Sequence, residues 1–274
     1  MTAPPRFEEI LERTRAADAA LPDGAQLRAR RAARGIDAPR GFSDALRAAG
    51  RGAVIAEVKR EAPSAGRFEG IDPIETARAY ARAGATCVSI LADPHFGMTP
   101  EEFPAVRAAA ELPALWKDFV LSEKRIDLAY GLGADCVLLL ARLHDAPRLA
   151  ALHAYARSLG LETLHEIHEA GEIERIPADT ALVGANARDL SDPGYATDPG
   201  RLARIRPDLS RFAWRGALLV AESGFSNAAQ VRDAFAAGPY DAFLVGTSLL
   251  RALCTGEDLA GRISSLREAA RTLS

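Results

Sequence analysis

Two opposite charges, Glu57 and Lys59, close the apolar run AVIAEVK, and comparable groups follow other apolar runs. Lys117 ends LPALWK, Glu166 ends LETLHE, Asn186 and Arg188 follow ALVGA, and Glu222 ends ALLVAE. A positioned ammonium can protonate or polarise a carbonyl, and a carboxylate can take up or return the proton. Glu57 and Lys59 are two residues apart, so on a strand they share one face with Ile55. Taken singly, any one of these charges reads better as a structural ion pair at the barrel rim. Burying two lysines among three carboxylates is expensive, however, unless their pairing and tuned proton affinities serve chemistry. Neighbouring lysines lower one another's pKa and carboxylates raise it, so the balance decides which lysine donates.

The elements that must position these groups alternate along the chain. Strands are expected at AVIAEV (53–58), TCVSIL (86–91), LPALWK (112–117), ADCVLLL (134–140), LETLHE (161–166), ALVGA (181–185), ALLVAE (217–222) and DAFLVG (241–246). Helical stretches such as PIETARAYARAG, SEKRIDLAYGLG, APRLAALHAYARSLG and NAAQVRDAFAAG lie between them and end in Gly. Eight strands joined by crossover helices predict an α/β fold, a closed (β/α)8 TIM barrel. An open doubly wound sheet is the competitor, but no GxGxxG follows the first strand. In a parallel barrel the βα loops converge at the C-terminal strand ends, which is where the charges fall. Residues 1–50 read as an N-terminal helical extension over a barrel spanning 51–274, the whole forming one domain. Arg28, Arg30, Arg31 and Arg34 in the extension are expected on a solvated helix face.

The last two loops point to an anion. Ser223 and Gly224 follow the seventh strand, Gly246 and Thr247 the eighth, each just before a helix start. Backbone N–H groups at such turns bind phosphate without basic side chains. Other polar residues are set aside. His165 and His168 fall on opposite strand faces with no third metal ligand evident, His168 reading as a rim or helix-start residue. His144 and His153 are expected on a surface helix. Asp118 either orients Lys117 or caps the following turn.

Composition excludes several classes. A formal charge of −3 and 6% aromatic residues give no basis for nucleic-acid binding. No apolar run is long enough to span a membrane and no signal-peptide core opens the chain, so a cytoplasmic location is expected. The three cysteines show no CxxC spacing, and Cys87 and Cys136 read as buried reduced thiols.

VIAEVKREAPSAG, LWKDFVLSEKRIDLAYGLGADCVLLL, LETLHEIHE, GANARDL, AESGFS and AFLVGTSLLRA, in this order, resemble the indole-3-glycerol phosphate synthase family of tryptophan biosynthesis. The resemblance extends to PRGFSDALRAAG in the extension. It implies ring closure, decarboxylation and dehydration of 1-(2-carboxyphenylamino)-1-deoxyribulose 5-phosphate, with no cofactor and no metal. It implies Lys117 as general acid at the ketose carbonyl, Glu57 and Glu166 as proton carriers during dehydration, and Lys59 as an assisting acid near the phosphate. Asn186 and Arg188 would order the network and Glu222 would hold the lysine side. Ser64, Phe96, Phe119, Ser223, Gly224, Gly246 and Thr247 would contact the substrate, the last four around its phosphate. A monomer or weak homodimer is expected.

Two departures from the family pattern stand out. Ala62-Pro63-Ser64 lacks the first hydroxyl of the usual Ser-Pro-Ser, and at the place in the loop ADPHFGMTPEEF where the family has an aromatic pair there is a single aromatic, Phe96. A pathway-specific paralogue acting on a substituted aryl ring is therefore an alternative. So is a non-catalytic barrel that binds a phosphorylated metabolite. A sugar-phosphate isomerase would share the phosphate loops, but Glu57 with Lys59 fits its acid–base pair poorly.

Overall fold

The computed structural model describes residues 7–62, 65–189, 192, 196–198, 200–213 and 215–272, and within them eight parallel strands close into a barrel. The ring runs β1 (Ala53–Val58), β2 (Cys87–Leu91), β3 (Ala114–Lys117), β4 (Cys136–Leu140), β5 (Glu162–Ile167), β6 (Leu182–Asn186), β7 (Leu218–Glu222) and β8 (Ala242–Val245), which pairs back onto β1. Each strand lies on its expected apolar run. Closure leaves no free sheet edge, so every strand is backed on both sides.

Helices α4 (Pro73–Arg82), α5 (Phe103–Ala110), α6 (Glu123–Gly131), α7 (Ala146–Ser158), α8 (Gly200–Ala213) and α9 (Ala228–Ala237) form six of the crossovers. Asp72, Ser122, Asp145 and Asn227 cap four of them by accepting backbone N–H bonds. After β8 the chain ends in α10 (Thr247–Thr255) and α11 (Leu259–Arg271). The β5–β6 crossover departs from the expected alternation: its helical part is a 3₁₀ segment, Ala170–Arg175. With Ile176-Pro177 following, a proline and the extended backbone at Ile176 stop the segment before an α-helix forms.

Strand alternation divides the core into two layers. Ile55, Leu115, Leu138, Leu164 and Val220 fill the barrel, whereas Val54, Ala56, Val88 and Ile90 face outward under the helices. The N-terminal helices complete both layers and the mouth. From α3 (Phe42–Ala49), Phe42 and Leu46 join the interior cluster and plug the N-terminal end of the barrel. The next helix outward, α2 (Gly24–Ala33), lies against α6 so closely that a Cβ on Gly131 would sit 2.0 Å from the Leu27 carbonyl oxygen. Finally α1 (Phe7–Ala20) crosses the C-terminal end, where the Phe7 ring meets Phe119 edge-on at 5.6 Å.

Two sequence expectations are corrected, the solvation of Arg31 and the surface position of His144 and His153. Arg31 is buried, not solvated, and donates to the carbonyls of Asp37, Tyr130 and Ala134. Arg28 pairs with Asp127, and Arg30 and Arg34 both reach Glu101, so this arginine-rich face is tied down by partners. His144 and His153 are buried against the barrel: His144 Nε2 lies 3.0 Å from the Val120 carbonyl, and His153 Nδ1 lies 2.7 Å from Thr163 Oγ1. His153 belongs to the buried stripe of α7 with Leu149, Leu152 and Ala156, and His144 precedes that helix. Among the described residues no helix is long and apolar enough to cross a membrane.

Candidate active site

At the C-terminal strand ends a cavity of ≈ 350 Å³ opens. Glu57, Lys59, Lys117, Glu166, Asn186, Arg188 and Glu222 line it, as do Phe96, Phe119, Ser223, Gly224, Gly246 and Thr247. Ser64, and with it the Pro63 turn, lies outside the described residues. Parallel register explains the convergence. Leu140 on β4 pairs with Glu166, Glu166 with Gly184 on β6, and Asn186 with Glu222 on β7. The charges therefore form one tier at the rim, above the apolar filling.

Within that tier the charges pair specifically. Lys59 Nζ donates to Glu57 Oε1 at 2.5 Å. Lys117 Nζ donates to Glu166 Oε2 at 2.7 Å and lies 3.6 Å from Glu222 Oε2. Space for Glu222 comes from the neighbouring strand, because a Cβ on Gly184 would fall 2.0 Å from Glu222 Oε1. A larger residue at 184 would displace that carboxyl.

Burial and charge sort the protonation states. Burial alone would raise Glu57, but Lys59, Lys117 and Arg188 outweigh it and hold the carboxylate below its usual range. Burial likewise acts against ionised Glu166, and Lys117 and His168 overcome it, so Glu166 stays charged. Glu222 goes the other way: burial and the adjacent Glu166 charge push it well above the carboxylate range. Burial would lower Lys117, yet Glu166, Glu222 and Glu57 raise it above the ordinary lysine value. The balance between lysine–lysine and lysine–carboxylate effects is thus decided by the carboxylates. Asp118 turns away from the lysine. It accepts from the Phe119 N–H at 2.8 Å and Trp116 Nε1 at 3.2 Å, so of its two sequence readings the turn-capping one holds.

The wall beside the charges is built from backbone: Gly246 lies against Glu57 and Lys59, and Ser223 directly follows Glu222. Ser223 and Gly224 adopt left-handed φ of 70° and 86°, which lets the chain bend directly off β7. Ser248 Oγ donates to the Phe225 carbonyl at 2.8 Å and ties this bend to the start of α10. That start has Gly246 as its N-cap with no side-chain cap. The first N–H groups of α10 lack intrahelical acceptors and border the cavity at Thr247 and Ser248. This wall suits a phosphate, and the apolar lining residues Ile10, Phe96, Phe119 and Leu140 suit an apolar ring.

Several residues at the site escaped the sequence reading. Ile10 enters from α1, a contact that only the folded chain supplies. Arg251 lines the cavity four residues after Thr247, and that helical spacing was the available signal. His168 lies between the end of β5 and the 3₁₀ segment, as its rim or helix-start reading expects, but it is not solvent-facing. It is fully buried with Nε2 3.2 Å from Glu166 Oε1, and its two-residue spacing from Glu166 was the clue. His165 faces the other way, toward His153, with ring centroids 5.1 Å apart.

Comparison with known proteins places this geometry in context. The family model for indole-3-glycerol phosphate synthase matches residues 7–263. Indole-3-glycerol phosphate synthase 2 of Streptomyces coelicolor is 41% identical over 227 residues, covering 82% of this chain and 85% of that protein. Among solved structures, a protein of Aquifex aeolicus VF5 superposes with a TM-score of 0.58 at 16% identity, over 83% of this chain and 98% of its own. Mandelate oxidase superposes at 0.57 with 17% identity, over 80% and 73%. At such identities these two structures share the barrel and nothing more.

Proposed function

The chain belongs to the indole-3-glycerol phosphate synthase family, and on that premise we propose how its charged rim closes an indole ring. It is a carbon–carbon lyase of tryptophan biosynthesis acting on a phosphorylated small metabolite. The substrate is 1-(2-carboxyphenylamino)-1-deoxyribulose 5-phosphate. The aryl ring carbon bearing the carboxylate attacks the ketose carbonyl, carbon dioxide leaves to restore aromaticity, and loss of water completes the pyrrole ring.

Each residue has a role that its environment supports. Lys117, fully protonated among three carboxylates, donates to the carbonyl oxygen as negative charge develops there. Glu166, ionised and 2.7 Å from Lys117 Nζ, exchanges the proton with it. Glu57 accepts a proton during dehydration, with Lys59 as the assisting acid. Glu222, buried with Oε2 3.6 Å from Lys117 Nζ, holds the lysine side of the site. Asn186, whose Oδ1 accepts the Arg188 N–H at 2.9 Å, orders the turn that presents Arg188. The phosphate rests on the Ser223–Gly224 bend and the α10 start, and the aryl ring packs between Phe96 and Phe119.

The observation that carries this reading is Lys117 Nζ held between Glu166 and Glu222 inside the cavity. Lys117→Ala should lower kcat by at least about 10²-fold in an assay following indole fluorescence. Wild-type-like turnover in that variant would remove Lys117 from the acid role. The loop with Phe96 as its one wall aromatic favours a second reading, a preference for substituted aryl rings. Steady-state kcat/KM for ring-substituted substrates beside the unsubstituted one separates the two. We further read the chain as a cytoplasmic monomer or weak homodimer. Its free, buried Cys87 and Cys136 suit a reducing compartment, and sedimentation would fix its mass.

A further inference from the structure

We infer that His168 is a positioning residue that holds the second oxygen of the Glu166 carboxylate and so fixes the direction in which Glu166 exchanges its proton. This inference rests on the proton-carrying role of Glu166. His168 follows β5 immediately and lies on the Glu166 side of the strand, but it does not line the cavity. Its ring is fully buried, with Nε2 3.2 Å from Glu166 Oε1 and Nδ1 4.0 Å from Glu172 Oε2. The main chain beneath it is fixed, because its own N–H donates to Glu172 Oε2 at 2.7 Å.

Neither ring nitrogen completes a well-aligned hydrogen bond in the resting site. A buried imidazole with idle nitrogens is unfavourable, and of the two carboxylates beside it among the described residues Glu166 lies nearer, at 3.2 Å against 4.0 Å for Glu172. The two Glu166 oxygens are therefore divided, Oε2 toward Lys117 and Oε1 toward His168. When Lys117 passes its proton on, a carboxylate held at one oxygen only would be free to swing toward Glu222. With His168 as a second hold, Glu166 stays aimed at Lys117.

The charged surroundings are consistent with a neutral ring. Glu166, Glu172, Arg142, Lys117 and Arg201 face it, and burial lowers its pKa to about 4. Glu166 in turn faces Lys117, Glu222, Arg188 and His168. A neutral imidazole carries one N–H donor, which suits an ionised carboxylate.

The test compares His168→Phe, which keeps ring shape without nitrogen, with His168→Gln, which keeps a donor without ring shape. Glu166→Gln runs beside them. For the Phe variant we expect kcat lowered about 10- to 100-fold, KM within about threefold, and the acid limb of the kcat profile displaced to higher pH. The Gln variant should recover kcat to within about fivefold, with the limb near its wild-type position. A Phe variant equal to wild type overturns the inference, as does a Gln variant impaired as deeply as Phe. Should the Phe variant fail to fold, His168→Ala with added imidazole decides: recovery of kcat supports the inference and no recovery overturns it. If Glu166→Gln itself turns over normally, its proton-carrying role fails and this inference falls with it. An inactive Glu166→Gln beside a normal Phe variant overturns this inference alone.

Discussion

Glu166 and Glu222 have the same functional group, the same burial and a shared lysine, yet their proton affinities move in opposite directions. Two carboxylates this close to one another cannot both ionise cheaply, and the one nearer Lys117 Nζ keeps the charge. Asp118 is a third buried acid with a separate fate. Burial, opposed by Arg125 and reinforced by Asp93, raises it to about 7, where a small pH change alters its charge. Because Trp116 Nε1 donates to Asp118 Oδ2, Trp116 should report that event. In a Trp214→Phe background, emission should titrate with a midpoint near pH 7, and Asp118→Asn should abolish the transition; an unchanged titration would assign it elsewhere. The sign for stability follows. Because the folded pKa is raised, the contribution of Asp118 is fully present below the unfolded value of about 3.8 and is lost as pH rises through about 7. At this scale the sequence showed which residues carry charge. Protonation was not legible in it, because it depends on separations between residues as far apart in the chain as Lys117, Glu166 and Glu222.

At the scale of elements, α1 acts as a strap across the mouth. Arg125 on α6 holds it: Nε lies 2.7 Å from Asp18 Oδ1 while NH1 lies 3.3 Å from Asp118 Oδ2. Ser122 Oγ donates to the other Asp18 oxygen at 2.6 Å. Removing the charge from Asp18 loosens the strap and leaves Arg125 partly uncompensated. Asp18→Asn should therefore raise KM, since Ile10 and Phe7 would no longer hold the ring end of the cavity closed, while kcat changes little. Limited proteolysis should then cut within residues 1–20 faster than in wild type. Equal KM and equal protection would show that α1 is held by packing alone. The extension was legible as helical from its sequence. Its placement was not, because Asp18, Ser122 and Arg125 are ordinary polar residues until the fold brings them together.

For the whole molecule, the barrel needs closure at both ends. Phe42 is fully buried among Ile55, Leu115, Leu164 and Val220, plugging the end opposite the chemistry. Phe42→Ala would leave a void there and should cost about 3–5 kcal/mol of stability, read as a lower Tm, with KM for substrate unchanged. A KM shift would mean that the two ends of the barrel are coupled. The sequence by itself determined the strands, their number, the closed parallel class and the charged set at the C-terminal ends. Those follow from local rules: a period of two along strands, a period near 3.6 along helices, and glycine at helix ends. Only the tertiary structure decided which charges pair, that Glu222 sits with raised proton affinity in space left by Gly184, that His168 is buried against Glu166, and that α1 crosses the mouth. These depend on register around the ring and on contacts between residues far apart in the chain. Short-range patterning fixes which face a side chain takes, but it carries no information about what waits on the other side of the barrel.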